Sequence, residues 1–230
     1  MIKAVVFDLD NTLVDFMKMK EQSIMAAIDA MIDAGLQMDK EEARRKLYAI
    51  YDKEGIEFQR VFDAFFQEEF GRVDPKMHAA GIVAYRKARE AALVLYPHVN
   101  LTLMELTRRG LKLAVVSDAP RLQAWLRLCY LGLQHMFDYV VTYEDTGEKK
   151  PSPAPFRKVL SLLGIRPEEA LMAGDWAERD ITGAATLGMK TAFARYGDTF
   201  GTKDSGADYD LGDILELVAI VDRENGKARS

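Results

Sequence analysis

A chain of 230 residues, 49% hydrophobic and 29% charged, has the size and balance of a soluble globular protein with one large domain or a core carrying a smaller insert. Its net charge of −5 gives no general attraction for phosphate backbones, and no basic stripe interrupts it, which excludes nucleic acid as a partner. The N-terminus lacks the basic start and cleavage site of a signal peptide, and no apolar run approaches the roughly 20 residues of a membrane span, so the expected location is cytoplasmic.

The first element is the apolar run IKAVVF, read as a strand, which drives into Asp8 and Asp10. In extended chain, residues i and i+2 point the same way, so both carboxylates are expected on one side of the strand's carboxyl end, where open parallel sheets bind ligands. A DxD pair alone is a weak signal that fits a helix cap as well. From residue 16 to residue 96 strand-like alternation is absent and apolar residues recur at helical spacing, as in Ile24, Ile28, Met31 and Ile32. Breaks near Gly35, Gly55 and Gly71 to Pro75 divide this stretch into about four helices, an inserted all-helical domain. Its Met25, Met31, Phe58, Phe62, Phe65 and Phe66 read as core. Phe16, Lys18, Lys20 and the 56–66 helix are candidates for reading a substrate.

The chain then resumes β–α alternation: a helix at 99–109, the strand LKLAVV at 111–116, a helix at 120–131, the strand YVVT at 139–142, a helix at 153–163, the strand ALMAG at 170–174, a helix at 178–187 and the strand KTAFA at 190–194. Pro167 to Glu169 is read as a turn, and the closing ENGKARS as a frayed tail. The only cysteine, Cys129, excludes a disulfide framework and a thiolate zinc site, and its helical pattern predicts a small buried hydrophobe. Each remaining strand end carries polar residues: Ser117 and Asp118, then Lys150 before Pro151, then Gly174, Asp175 and Asp180. Each alone reads as a cap or a solvated side chain. Four such segments at successive strand ends make that reading strained.

DLDNTL at 8–13, VVSDA at 115–119, KKPSPAPF at 149–156 and GDWAERDI at 174–181, in this order, resemble the haloacid dehalogenase-like (HAD) hydrolase superfamily, and the likeness covers essentially the whole chain. It implies an α/β fold, a Rossmann-like parallel sheet core (1–15 and 97–230) with an inserted helical cap domain (16–96). It also implies a Mg2+-dependent phosphatase of small phosphorylated metabolites, triose or sugar phosphates, with glyceraldehyde 3-phosphate among them. A phosphomutase or a non-catalytic binding protein of the same fold stays open.

By the same resemblance Asp8 is the nucleophile that forms an aspartyl-phosphate and Asp10 the acid and base. Ser117, Asp118 and Lys150 bind the phosphate. Asp8, Asp175 and the backbone carbonyl of Asp10 hold Mg2+, with Asp180 orienting Lys150 or a metal-bound water. Two positions depart from the family pattern: Asp118 stands where Asn is common, and Trp176 where a small residue is common.

Overall fold

The computed structural model describes residues 1–226. The chain divides into two compact units, Met1–Asp15 with the chain from Leu95 onward, and Phe16–Val94.

The first unit is built on six parallel strands: β1 (Ala4–Phe7), β2 (Lys112–Val116), β3 (Tyr139–Val141), β4 (Ala170–Gly174), β5 (Lys190–Ala194) and β6 (Tyr209–Leu211), in the order β3-β2-β1-β4-β5-β6. β1 and β4 are wholly buried, which is why they read as continuous apolar runs rather than alternating ones. On one face Ala4, Val6, Ala114, Val116 and Met172 pack with Phe156, Val159 and Leu163. These last three come from a helix, Pro153–Leu163, started by Ser152, whose hydroxyl accepts the Ala154 N–H at 3.2 Å, and ended by Gly164 in the left-handed region. The sheet order reverses at β1, so the crevice for a ligand lies at the carboxyl ends of β1 and its neighbours.

In chain order α1 (Phe16–Asp33), α2 (Lys40–Glu54), α3 (Val61–Phe70) and α4 (Pro75–Ala92) form the second unit, and α5 (Val99–Arg108), α6 (Arg121–Tyr130), α7 (Tyr143–Thr146), α8 (Pro153–Leu163), α9 (Gly183–Ala185) and α10 (Glu216–Glu224) belong to the first. Asp39 and Asp74 cap α2 and α4 by accepting two backbone N–H groups each. Met31, Phe62, Phe65 and Phe66 are buried in the core of the helical unit, with Met25 and Phe58 half-buried against it. Where the chain leaves and rejoins the sheet unit, Val14 pairs with Leu95 and the Tyr96 N–H donates to the Leu13 carbonyl at 3.0 Å.

Five details depart from the sequence reading. β6, α7 and α10 were not expected. The helix expected at 56–66 is α3, Val61–Phe70, with turns before it. The helix expected at 178–187 is a π-helical turn, Ala177–Thr182, followed by the single turn α9. The tail lies outside the described residues from 227 onward, and its start is anchored rather than frayed: Glu224 ends α10, and the Asn225 amide pairs with both the N–H and the carbonyl of Ile2, at 2.6 and 2.9 Å. Cys129 is exposed. On α6 the inward positions are Ala124, Arg127 and Leu128, and a helix turns about 100° per residue, so Cys129 points away. Among the described residues no helix is long and apolar enough to cross a membrane.

Candidate active site

At the end of β1 the Asp8 N–H donates to the Ala173 carbonyl at 2.8 Å, fixing the nucleophile candidate against β4. The chain then turns sharply through Asn11, whose φ of 60° is the left-handed conformation that Asn tolerates better than most residues. The two acids meet different cationic partners. Asp8, 7% exposed, is hydrogen-bonded by the Lys150 ammonium, whereas Asp10 is held by Arg127, Nη1 to Oδ2 2.9 Å.

Lys150 is buried. Its Nζ contacts Asp8 and Asp180, the latter at 2.6 Å, and donates to the Val116 carbonyl at 3.0 Å. Burial opposes the ammonium charge, but Asp180 and Asp8 outweigh it and hold the lysine firmly protonated. Asp180 in turn accepts the Trp176 N–H at 3.0 Å. The π-helical turn aims its carboxylate back beneath Gly174, where a Cβ would lie 2.4 Å from Asp180 Cβ, Cγ and Oδ2. Only glycine leaves that room.

Asp175, at the end of β4, is buried and accepts Thr12 Oγ1 at 3.1 Å. One carboxylate oxygen from each of Asp8, Asp175 and Asp180 fits within a set spanning no more than 4.8 Å. Burial, with the charges of Asp180 and Asp10 added, pushes Asp8 up to about 8, and burial with the charges of Asp8 and Asp180 pushes Asp175 up to about 9. In formal charges, Asp8, Asp10, Asp118, Asp175 and Asp180 against Lys150, Arg127 and Arg179 leave two negative charges in excess. A hard divalent cation with oxygen ligands fits that deficit and that donor chemistry.

The residues expected to bind phosphate also come together. Ser117 is buried at the end of β2, its N–H on the Val141 carbonyl at 2.9 Å and its hydroxyl accepting the Ala119 N–H at 3.1 Å. The Asp118 carboxylate accepts the Lys150 backbone N–H at 2.9 Å and Arg179 Nη1 at 3.3 Å. Of the candidates in the helical unit, Lys20 is buried, donates to Tyr85 Oη at 3.1 Å and lies 4.1 Å from the Tyr51 ring centroid, whereas Lys18 is exposed.

Sequence reasoning missed Thr12, Arg127 and Arg179. Arg127 left one signal, a charge at the i+3 position from Ala124 on an otherwise apolar helix face. Thr12 sits inside DLDNTL but declares no partner, and Arg179 only adjoins Asp180.

A family model for haloacid dehalogenase-like hydrolases matches residues 2–188. A glyceraldehyde 3-phosphate phosphatase of Methanocaldococcus jannaschii is 38% identical over 222 residues, 96% of this chain and 97% of that protein. One from Methanopyrus kandleri is 40% identical over 199 residues, 86% and 85% of the two chains. Among solved structures, a HAD phosphatase from Thermococcus onnurineus is similar with a TM-score of 0.72 at 28% identity, over 96% of this chain and 98% of that one.

Proposed function

The chain belongs to the haloacid dehalogenase-like hydrolase family, and from that premise we propose that it is a magnesium-dependent phosphatase of small phosphorylated metabolites. The observation that carries the reading is the meeting, at the carboxyl ends of β1 and β4, of a buried Asp8, its Lys150 partner and the Asp175–Asp180 pair. A nucleophile set in an anionic cluster short of one divalent cation suits the transfer of an anionic phosphoryl group.

In this reading an Asp8 oxygen attacks phosphorus, the ester P–O bond breaks, and an aspartyl-phosphate forms on Asp8. Asp10, steadied by Arg127, gives its proton to the departing alkoxide and then takes one from the water that hydrolyses the acyl phosphate. Lys150, the Ser117 hydroxyl and the Asp118 backbone N–H hold the phosphoryl oxygens. Asp8, Asp175 and the Asp10 carbonyl would hold Mg2+, with Asp180 fixing Lys150. A bound Mg2+ supplies the positive charge that lets an ionised Asp8 approach a phosphate dianion.

The named relatives make glyceraldehyde 3-phosphate the first candidate substrate, and a phosphoglycolate phosphatase of Aquifex aeolicus, 34% identical over 198 residues, makes phosphoglycolate the second. The test is phosphate release from triose, glycolate and hexose phosphates with Mg2+ or with EDTA, repeated on Asp8→Asn. Release is expected only with Mg2+ and is expected to fall by about 10³-fold or more in the variant. Equal release by both proteins sinks the assignment of Asp8. Isomerised sugar phosphate with little free phosphate would make the enzyme a mutase.

A further inference from the structure

The loop after β2 places an acid, Asp118, directly beside Ser117, where the proposed chemistry needs a phosphate dianion to settle. An uncompensated carboxylate there would repel that substrate. Its side chain is engaged by two donors, the Lys150 backbone N–H on Oδ1 and Arg179 Nη1 on Oδ2. An asparagine would make the first bond equally well, since its carboxamide oxygen accepts in the same way. What an acid adds is the second, an ion pair.

Arg179 is itself held in place. Its guanidinium carbon lies 3.7 Å from the Trp176 ring centroid, and the Trp176 and Phe200 rings pack with centroids 4.3 Å apart. The Arg179 side chain is 36% exposed, so without the indole it would be drawn into water; the cation–π stack restricts it to the side facing Asp118. Asp118, Trp176 and Arg179 thus form one chain of contacts, from the phosphate loop to the turn that carries Asp180.

Resting on the phosphatase reading, we propose that Arg179 is a charge-compensating positioning residue: it cancels the Asp118 charge beside the phosphate clamp, and Trp176 fixes it there. The acid at 118 and the large aromatic at 176 then have a single cause, because each is needed only in the presence of the other two. Arg179 acts through Asp118 and touches no reacting atom.

A double-mutant cycle tests this: wild type, Arg179→Gln, Asp118→Asn and the double variant, with Arg179→Lys alongside. For each, KM is measured for the best phosphoester, and the dissociation constant of inorganic phosphate by calorimetry in Mg2+. With Asp118 in place, Arg179→Gln is expected to raise both constants about tenfold, with kcat changed less than about threefold. Arg179→Lys should recover most of that loss. In the Asp118→Asn background, the same Arg179→Gln change should raise them less than about twofold.

Equal rises in both backgrounds, or a loss confined to kcat, overturn the proposal. A wild type that hydrolyses no phosphoester refutes the phosphatase reading instead, and the calorimetric constants still decide the role of Arg179. Should Arg179→Gln fail to fold, Trp176→Ala keeps the question open to test. It frees the guanidinium without removing its charge, and its smaller rise in the phosphate constant must also vanish in the Asp118→Asn background.

Discussion

Arg127 Nη1 lies 2.9 Å from Asp10 Oδ2, with the arginine side chain only 8% exposed. A buried guanidinium on the inward face of α6 is costly unless it orders something, and what it orders is the carboxylate proposed to meet first an alkoxide and then a water. Arg127→Met is therefore expected to lower kcat by about 10- to 100-fold with KM changed less than about threefold. It should also destabilise the fold by about 2–4 kcal/mol, read by urea unfolding. Arg127→Lys should restore part of kcat; a loss in KM alone would detach Arg127 from Asp10's task.

The proton role proposed for Asp10 has its own signature. Asp10→Asn is expected to slow hydrolysis of alkyl phosphates, whose alkoxides need a proton, by about 10²–10⁴-fold. Aryl esters with good leaving groups should suffer less than about tenfold. Parallel kcat measurements on glycerol phosphate and p-nitrophenyl phosphate check this, and matching losses on the two esters would remove Asp10 from the acid role.

What was legible in the sequence was legible for a geometric reason. In a parallel sheet every strand delivers its carboxyl end to the same side, so Asp8, Ser117 and Asp175 converge once β1, β2 and β4 are recognised by their buried apolar runs, and Lys150 follows from the same side after β3. β6 escaped because three residues, with only Leu211 buried, carry no pattern. Cys129 was misread because one residue of helical phase separates an inward Leu128 from an outward neighbour. Asp8 and Asp10 lie close enough for the Asp10 charge to push the Asp8 carboxyl up, yet Lys150 holds one and Arg127 the other, and spacing names neither partner. Partners such as Thr12 with Asp175 depend on which loops meet, and residue spacing says nothing about that.

Gly174 tests whether the room beneath Asp180 matters. A Cβ there would meet Asp180 at 2.4 Å, and Asp180 cannot retreat without leaving Lys150 or the Trp176 N–H. Gly174→Ala is expected to cost about 1–3 kcal/mol of stability by overpacking, and to lower activity by more than that loss of folded protein explains. Activity measured well below the variant's melting transition separates the two effects. Full activity there would show that Asp180 has another place to go.

Thr12 donates its hydroxyl to Asp175 from a fully buried position. Thr12→Val keeps the bulk and removes the donor, leaving Asp175 less firmly oriented. The Mg2+ concentration for half-maximal activity is expected to rise about 10- to 100-fold, with kcat at saturating Mg2+ changed much less. Titrating activity against Mg2+ checks this, and an unmoved midpoint would mean that Asp175 needs no help from Thr12.

The raised carboxyls predict how stability and metal interact. Asp8 at about 8 and Asp175 at about 9 lie far above the value of 3.8 that an unfolded aspartate has, so between those limits the folded protein binds more protons than the unfolded chain. A raised pKa contributes stability that is complete below the unfolded value and is lost as pH climbs through the folded one. The metal-free protein should therefore lose stability steadily up to about pH 9. A divalent cation bound by Asp8 and Asp175 would take the place of those protons, so the rise in Tm on adding Mg2+ should widen from about pH 6 to about pH 9. Thermal scans in EDTA and in Mg2+ across that range measure the gap. A gap that stays constant with pH, or persists undiminished when Asp175 is changed to Asn, would place the cation elsewhere.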